Sequence, residues 1–389
     1  MTRVPAVHIS SLSYAYPEVD GETRAAIARR LGDASAPGDT LVLSTCLRVE
    51  VVTAGDREQL LGANRVILGN GLGASVRGKL RVDGEAVAHL ARVAAGLESP
   101  MVGEREILTQ FRLAVHDAEE SGRLGGVFVR LLENLVSIGR QARELLPDLA
   151  HASMAAVATQ VVGFAPRVAV LGSGVMASAV VAGLQALPAP PAITLVARSP
   201  EKVTIENVEV WPFNRAVETV AQFPAVISAT SAKHRPVADG DLVDALAARS
   251  TRLVLVDMAM PPDFLPSPDA PVDYFDIDDL AALVARRPRG EQADEMVANA
   301  AAEAYRQYAD HNVVGPVISG LITEADLLVE RTVERFGGRL SSDGDRALLR
   351  QAAHTVARGL LARPVEHLKQ TEHSGEIDVI ARAFGLDRD

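Results

Sequence analysis

The sequence predicts a multidomain protein that combines α+β and α/β domains with a helical C-terminal block. Its 389 residues exceed what one ordinary hydrophobic core accommodates, so two or three domains are expected. Short strand patterns and helical patterns alternate up to about residue 285. Beyond that point the sequence contains no strand-like run, and apolar residues recur at helical spacing.

The composition is that of a soluble globular protein, with 48% hydrophobic and 23% charged residues. No apolar run reaches the roughly 18 residues that span a bilayer, and the first residues lack the apolar core of a signal peptide. The single cysteine, Cys46, excludes an intramolecular disulfide, so a cytoplasmic location is the default expectation. The net charge of −11 argues against a general nucleic-acid binder. Arginines spaced between residues 105 and 143 could form a local basic face or an ordinary solvated helix surface.

The first block, residues 1–150, mixes strands and amphipathic helices in an α+β pattern. The segment LVLSTCLRVEVVTA predicts one strand, a tight break around Cys46 and a second strand. Helices are predicted for ETRAAIARRLG, for GEAVAHLARVAAG and for residues 109–145. The last of these patterns is interrupted near Gly125, and Pro147 is expected to end it.

The second block, residues 151–285, alternates helices with strands that are apolar on both faces, such as RVAVLGSG, AITLVARS and RLVLVDMAM. Such strands are typical of a parallel sheet covered by helices, as in a Rossmann-type domain. Gly172 and Gly174 directly follow the first strand and open a helix. Glycines at this point let backbone amides approach a pyrophosphate. The alternative is a Rossmann-type domain without a cofactor.

The second strand of this block is followed by a basic and hydroxyl-bearing segment. A site specific for NADH would carry an acidic residue there to hold the ribose 2′-hydroxyl. Arg198, Ser199 and Lys202 instead suit a 2′-phosphate, so NADPH is favoured as the cofactor. The predicted cofactor contacts are Gly172, Ser173, Gly174, Val175, Met176, Arg198, Ser199, Lys202 and Thr230.

The third block, residues 286–389, reads as long helices with leucine stripes. Glu291 to Asn312 is an amphipathic pattern rich in Ala and Glu, and two further helical patterns follow it. A small helical block with no evident core of its own usually buries its apolar stripe against a partner. A homodimer held by this block is therefore predicted.

Two side chains of the first block could carry chemistry. Cys46 lies in STCLRVE between two predicted strands, where Arg48 could stabilise the reactive thiolate. His89, on a predicted amphipathic helix, could act as a general acid or base or could position a substrate. The alternatives are a small buried thiol and a structural histidine. No spacing places His89 beside Cys46, so both alternatives remain open at this point.

Several segments resemble those of one known family in the same order. STCLRVE resembles the Ser-Thr-Cys-Asn-Arg-x-Glu signature of glutamyl-tRNA reductases, and AVAHLARVAAGLESPMVGEREILTQ resembles their second signature. GSGVMA, ISATSAKH, VLVDMAMPPDF and VDYFDIDDL are similar to the family's cofactor domain. VVGPVISGLITEADLLVERTVERF and LLARPVEHLK are similar to its C-terminal helical domain. The resemblance covers nearly the whole chain.

The resemblance implies an activity and a division of labour. Glutamyl-tRNA would be reduced by NADPH to glutamate-1-semialdehyde through a thioester on Cys46, at the first step of tetrapyrrole biosynthesis. Residues 1–150 would be the catalytic domain, residues 151–285 the NADPH-binding domain and residues 286–389 the helical dimerisation domain. Handover of the product to glutamate-1-semialdehyde aminomutase is also expected, and no metal is. Carried over by position, the residues that contact the glutamyl group would be Thr45, Arg48, His89, Ser99, Glu104 and Gln110.

The sequence departs from the family pattern at several positions. Leu47 stands where the signature has asparagine, and SLSYAYPEV stands where the family has His-x-Thr-Ala-Pro. Pro100, Arg105 and Glu106 replace the usual Met, Pro and Gln. A diverged paralogue acting on another aminoacyl-tRNA and a non-catalytic binding or regulatory relative therefore remain alternatives. Because neighbouring side chains alternate in an extended segment, Leu47 is predicted to point away from Cys46 into packing.

Overall fold

The computed structural model describes residues 8–33, 39–55, 78–104, 106–146, 153–230, 235–284, 290–337, 342–370 and 374–386. Three features of the sequence lie outside these ranges. They are Arg105, the expected helix stop Pro147 and the segment Ser231–His234.

The N-terminal domain is built on a four-stranded antiparallel sheet in the order β2-β3-β1-β4. The strands are β1 (His8–Ala15), β2 (Asp39–Ser44), β3 (Arg48–Gly55) and β4 (Lys79–Val82). One face, with Leu12, Tyr14 and Val51, packs on α1. The opposite face packs on α2, α3 and α4 in a larger core. The helices are α1 (Gly21–Asp33), α2 (Asp83–Ala94), α3 (Glu106–Glu120) and α4 (Gly126–Leu145).

The strand–break–strand prediction around Cys46 is confirmed, since β2 ends at Ser44 and β3 begins at Arg48. The predicted interruption near Gly125 is also confirmed, because it separates α3 from α4. This domain belongs to the α+β class because its antiparallel sheet buries apolar residues of both faces against helices.

The second domain contains six parallel strands in the order β10-β9-β8-β5-β6-β7. Starting from β7 this is the 3-2-1-4-5-6 order of a Rossmann-type sheet, which confirms the predicted class. Helices α5, α6 and α9 cover one face, and α7 and α8 cover the other. The strands are β5 (Arg167–Leu171), β6 (Ala192–Ala197), β7 (Glu209–Pro212), β8 (Ala225–Ser228), β9 (Leu253–Asp257) and β10 (Val272–Phe275). The helices are α5 (Met154–Val162), α6 (Val175–Gln185), α7 (Ala216–Gln222), α8 (Asp239–Ala247) and α9 (Ile277–Leu283).

The C-terminal helices are α10 (Glu291–Gly337), α11 (Asp343–Gln370) and α12 (Ser374–Ala383). The first two predicted helical patterns of this block form one 47-residue helix, α10, which continues through Pro316. Its first half belongs to the N-terminal core, where Val297, Ala301 and Tyr308 are buried against α2 and α4. Its second half forms a separate small core with α11 and α12. The expectation that this block lacks a core was therefore wrong, because one helix serves two cores along its length.

The C-terminal helices also expose large apolar side chains that neither core covers. Leu360 on α11 is 73% exposed, and Leu328 on α10 is 54% exposed. Among the described helices, α10 alone is long and apolar enough to pass a length-and-composition test for a membrane span, a test that core helices of soluble proteins also pass. Uncovered stripes on neighbouring helices are typical of a surface that pairs with another protein chain.

Candidate active site

Cys46 lies in the turn that joins β2 to β3. The Thr45 amide donates to the Arg48 carbonyl at 2.8 Å, and the Thr45 hydroxyl accepts hydrogen bonds from the amides of Leu47 (3.3 Å) and Arg48 (3.1 Å). These bonds replace the strand ladder where the chain reverses. Thr45, which the resemblance assigns to the substrate, therefore holds the Cys46 turn in shape.

The cation next to the Cys46 turn is Arg24 of α1. Its Nε and Nη2 donate to the Cys46 carbonyl at 3.2 and 2.9 Å. Its guanidinium is fully buried and pairs with Asp278 of α9, with 2.5 Å between Nη2 and Oδ1. Arg24 precedes Ile27 and Leu31 by three and seven residues, so it occupies the apolar face of its helix. An arginine on the apolar face of a predicted helix was the sequence signal that could have identified Arg24 as a buried, paired cation.

Arg48 does not stabilise a Cys46 thiolate, and that expectation was wrong. Its Nη1 donates to Glu50 at 3.1 Å, and its Nη2 donates to the Glu98 carbonyl. The side chain of the first residue of β3 points to the face of the sheet that α2 covers, whereas Cys46 lies in the preceding turn. A separation of two residues along the chain therefore does not bring these two groups together.

The Cys46 thiol is protonated near neutral pH in this conformation. Burial raises the pKa of Cys46 to about 12; the nearby Glu104 carboxylate also raises it, and Arg24 opposes the shift only in part. Burial and the neighbouring Glu106 in turn raise the pKa of Glu104 to about 7. The protonation of the Cys46 thiol is thus disfavoured or favoured according to the charge of the Glu104 carboxyl group.

Glu50 of β3 is the centre of a buried polar network and was missed from sequence. Its carboxylate accepts hydrogen bonds from Ser11 at 3.1 Å, Ser13 at 2.8 Å and Arg48 at 3.1 Å, and His89 Nε2 lies 3.0 Å from it. Burial alone would raise the pKa of Glu50, but the hydrogen bond and charge of His89, with the charge of Arg48, lower it to about 2. A charged residue inside the apolar run of β3 was the available signal.

A cleft of about 1060 Å³ opens beside this network, between the N-terminal domain and α9. Arg48, His89 and Ser99 line it, so three predicted substrate contacts share one wall. The lining on the side of the nucleotide-binding domain is Ala281, Ala282 and Val284.

The other predicted contacts are not part of that lining. Glu104 is connected to it through a hydrogen bond from Ser99. Gln110 lies half-buried on α3, and Cys46 packs at the junction of the two domains. The structure therefore brings Arg48, His89 and Ser99 together in the wall of the cleft. Cys46 is not among the residues that line the cleft.

Leu47 packs into the core of the nucleotide-binding domain. It is 5% exposed and belongs to a cluster with Met101, Met154 and Val168. The prediction that Leu47 points into packing is confirmed, but its reason was wrong, since Cys46 and Leu47 lie in a turn and not in an extended segment.

The segment after β5 is shaped to admit a phosphate. Gly172 has a φ of +113°, and a Cβ there would lie 2.5 Å from the Ala229 carbonyl oxygen, so only glycine fits. Gly174 precedes α6, and no side chain caps the first amides of that helix. A Cβ on Gly174 would meet no described atom within 4 Å. Free amides at a helix N-terminus bind anions, so the residues present fit a dinucleotide.

A pocket of about 500 Å³ lies next to this segment. Ser173, Arg198, Ser199 and Lys202 line it, which brings four of the predicted cofactor contacts together. Three of the other predicted contacts, Val175, Met176 and Thr230, differ in exposure and in the groups that they contact. Val175 is 84% exposed, Met176 packs partly against the core, and the Thr230 hydroxyl donates to Asp263 at 2.8 Å. The described residues contain no group of three or more metal-binding side chains.

Comparison with known proteins gives consistent matches along the chain. Residues 16–145 match the family model of the glutamyl-tRNA(Glu) reductase N-terminal domain, and residues 292–386 match that of its dimerisation domain. Residues 156–283 match the shikimate/quinate 5-dehydrogenase model. A glutamyl-tRNA reductase of Salinispora tropica is 31% identical over 364 residues, covering 85% of this chain and 79% of that protein. The chain belongs to the glutamyl-tRNA reductase family.

Other members of the family match over similar lengths. The glutamyl-tRNA reductase of Sorangium cellulosum is 30% identical over 437 residues, covering 97% of this chain and 82% of that protein. A solved structure of the glutamyl-tRNA reductase from Methanopyrus kandleri is 23% identical, with a TM-score of 0.44 and coverage of 98% and 99%. The family and its dehydrogenase-type domain imply a pyridine-nucleotide cofactor. The dimerisation-domain match accounts for the exposed apolar stripes as the surface of a homodimer.

We expect Glu104→Gln to accelerate alkylation of Cys46 by iodoacetamide at about pH 8, because removing a neighbouring negative charge lowers the pKa of a thiol. Glu104 itself titrates near pH 7, so the difference from wild type should shrink below that pH. The measurement is the alkylation rate across pH, followed by mass spectrometry. Glu133→Gln, at an exposed position on α4, is the matched control and should react like wild type. Identical rates for Glu104→Gln and wild type at every pH would contradict the coupling.

We expect Leu47→Asn to lower the free energy of unfolding by about 1–3 kcal/mol, because a buried amide without partners is costly. Selectivity among aminoacyl-tRNAs should not change, since Leu47 is not among the residues lining the cleft. Chemical denaturation and reduction assays with two aminoacyl-tRNAs measure the two effects. Leu265→Asn, at a 44% exposed position, is the control and should change stability by less than about 0.5 kcal/mol. A faster variant of unchanged stability would show that Leu47 acts on the substrate.

Proposed function

We propose that this protein reduces glutamyl-tRNA to glutamate-1-semialdehyde with NADPH, at the first step of tetrapyrrole biosynthesis. The supporting observation is the position of the lone cysteine. Cys46 packs against the core of the nucleotide-binding domain, and the turn that holds it leads directly into Arg48, which lines the cleft with His89 and Ser99. A thiol between a cofactor domain and a polar cleft suits an enzyme that first binds an acyl group covalently and then reduces it.

In the proposed reaction the Cys46 thiolate attacks the ester carbonyl that joins glutamate to tRNA. A carbon–sulfur bond forms, the ester carbon–oxygen bond breaks, and the tRNA hydroxyl leaves with a proton. When bound, NADPH supplies the hydride that reduces the thioester. The carbon–sulfur bond then breaks, and Cys46 is regenerated as the aldehyde forms. Cysteine suits both steps because a thioester accepts hydride more readily than an oxygen ester, and because a thiolate leaves easily.

The proton of Cys46 must leave before the first step, since the thiol is protonated in the ligand-free conformation. Glu104 is the described carboxylate with the largest charge effect on this thiol, and its own pKa lies near 7. A base with such a pKa is well matched to proton transfer near neutral pH. In the proposal Glu104 accepts this proton, and Arg48 and His89 orient the glutamyl group in the cleft.

The departure at Leu47 does not favour another substrate, whereas those at SLSYAYPEV and Pro100 lie in the lining of the cleft. Leu47 packs in a core, so it removes no polar group from the cleft. A non-catalytic relative would have no need for a cysteine turn, a polar cleft and a phosphate-binding segment together. The proposal extends to a cytoplasmic homodimer that passes its reactive aldehyde to glutamate-1-semialdehyde aminomutase.

We expect Cys46→Ser to abolish aldehyde formation from glutamyl-tRNA while NADPH binding is retained, because a serine alkoxide is scarce at neutral pH. Aldehyde trapping and cofactor fluorescence provide the two readouts. With wild type, the acylated thiol should be detectable by mass spectrometry when NADPH is omitted. Turnover by the serine variant within about tenfold of wild type would refute the assignment of the nucleophile.

We expect Arg198→Ala to raise the Michaelis constant for NADPH by roughly tenfold or more and to leave that for NADH nearly unchanged. The reason is that the variant cannot form a charge-assisted hydrogen bond to the 2′-phosphate. Steady-state kinetics with both nucleotides test this. Arg252→Ala removes an exposed arginine next to β9 and is the control. Equal use of NADPH and NADH by wild type would remove the basis of this prediction.

A further inference from the structure

Two cations of β4 lie on the same face of the sheet as the Glu50 network. In the antiparallel register Lys79 is opposite Ser13, and Arg81 is opposite Ser11. Residues directly opposite each other in a sheet point to the same side. Both serines donate to Glu50, so Lys79 and Arg81 extend the polar face of the sheet away from the Cys46 turn.

Both cations line the cleft that also contains Arg48 and His89. Gly78, which precedes them, allows this approach to β1, because a Cβ there would lie 2.7 Å from Leu12 Cδ1. The wall of the cleft thus carries two further cations, separate from Arg48, which is bound to Glu50.

Lys79 and Arg81 differ from Arg48 in how their charge is compensated. Arg48 and His89 are both bound to Glu50. Neither Lys79 nor Arg81 forms an ion pair with any described residue, and Nη1 of Arg81 is buried without a hydrogen-bond partner. A buried charged donor without an acceptor is unfavourable, and such groups are normally satisfied by protein, water or ligand. A ligand that brings anionic oxygen atoms to this end of the cleft would satisfy it.

The position of these cations indicates which part of the substrate they meet. Arg81 is in register with Ser11 and Val52, and Val52 lies four residues beyond Arg48 on β3. At about 3.3 Å per residue this is roughly 13 Å along the strands, with two strand spacings between β3 and β4 in addition. A glutamyl side chain extends only about 5 Å from its ester carbon. Arg81 therefore lies beyond the amino acid of an ester held at Cys46, and Lys79, in register with Ser13 and Glu50, lies between Arg81 and Arg48 along the strands.

We propose that Lys79 and Arg81 bind the backbone phosphates of the 3′-terminal nucleotides of the tRNA substrate. This inference rests on the proposed function, because it takes an aminoacylated RNA as the substrate. The protein carries a net charge of −11, so repulsion disfavours RNA over much of its surface. Cations without partners at the cleft supply local attraction and set the direction from which the acceptor end enters.

The test measures the affinity of the full-length protein for uncharged tRNA by fluorescence anisotropy across a range of salt concentrations. Arg81→Gln should weaken binding roughly tenfold, and Lys79→Gln should weaken it by a smaller factor. The slope of log affinity against log salt should fall by about 0.7 for each single-strand phosphate that the variant no longer neutralises. Arg81→Lys should restore most of the slope, because it keeps the charge.

Arg29→Gln is the matched control, since Arg29 is an exposed cation on α1, which packs on the opposite face of the same sheet. It should leave affinity and salt slope unchanged. An unchanged slope in Arg81→Gln, or an equal loss in Arg29→Gln, would overturn the proposal. Thermal denaturation of Arg81→Lys and Arg81→Gln shows whether each variant is folded, so that its affinity and salt slope report on the tRNA contact alone.

A second measurement separates phosphate from carboxylate recognition. An adenosine esterified with glutamate carries the amino acid but no phosphate, so wild type and Arg81→Gln should reduce it at equal rates. A lower rate for the variant on this compound would assign Arg81 to the glutamyl carboxylate and overturn the proposal. Absence of aldehyde from wild type with glutamyl-tRNA would refute the proposed reduction, while the salt slopes would still decide whether Lys79 and Arg81 bind phosphate.

Discussion

A single buried guanidinium holds the Cys46 turn against the nucleotide-binding domain. Arg24 donates to the Cys46 carbonyl and pairs with Asp278 of α9, so the two partners of this cation come from different domains. Removing one partner of a buried ion pair typically costs about 3–5 kcal/mol, because the remaining charge is uncompensated. Leu47 packs into the nucleotide-binding core one residue away. The turn is therefore fixed by charge on one side and by apolar packing on the other, and the position of Cys46 depends on both domains.

Two carboxyl groups near this turn, the buried Glu50 and the half-buried Glu104, have opposite electrostatic environments. Arg48 and His89 keep the pKa of Glu50 at about 2, whereas burial and the nearby Glu106 bring the pKa of Glu104 to about 7. Glu50 is consequently ionised at any physiological pH and serves as a permanent counter-charge for its neighbours. Glu104 can gain or lose a proton near neutral pH. Pairs of carboxyl groups whose environments separate their pKa values are a common basis for dividing structural and proton-transfer roles.

The sequence was sufficient for local features and insufficient for long-range pairing. Strand alternation and glycine placement predicted the β2–β3 turn and the glycine-containing turn between β5 and α6, because both depend on a few consecutive residues. The pairing of Arg24 with Asp278 joins residues that are 254 positions apart, which no periodicity encodes. The expectation that Arg48 contacts Cys46 rested on their spacing of two residues. That spacing does not show that Cys46 lies in a turn, whereas the Arg48 side chain lies on one face of β3. The prediction of separate helical segments at the start of the last block was wrong, because α10 continues through Pro316 as one helix.

The long helix α10 also connects the cleft to the dimerisation surface. The Glu98 carbonyl accepts a hydrogen bond from Arg48, and the Glu98 carboxylate pairs with Arg92 at 2.7 Å. Arg92 in turn pairs with Asp294 in the first turns of α10. The second half of the same helix carries the exposed apolar side chains attributed to the homodimer surface. Because a continuous helix with buried contacts at both ends resists bending, α10 links the position of the cleft wall to that of the C-terminal helical core. In the proposed reaction, the approach of the tRNA to Cys46 would then be constrained by the C-terminal helices as well as by the proposed contacts of Lys79 and Arg81.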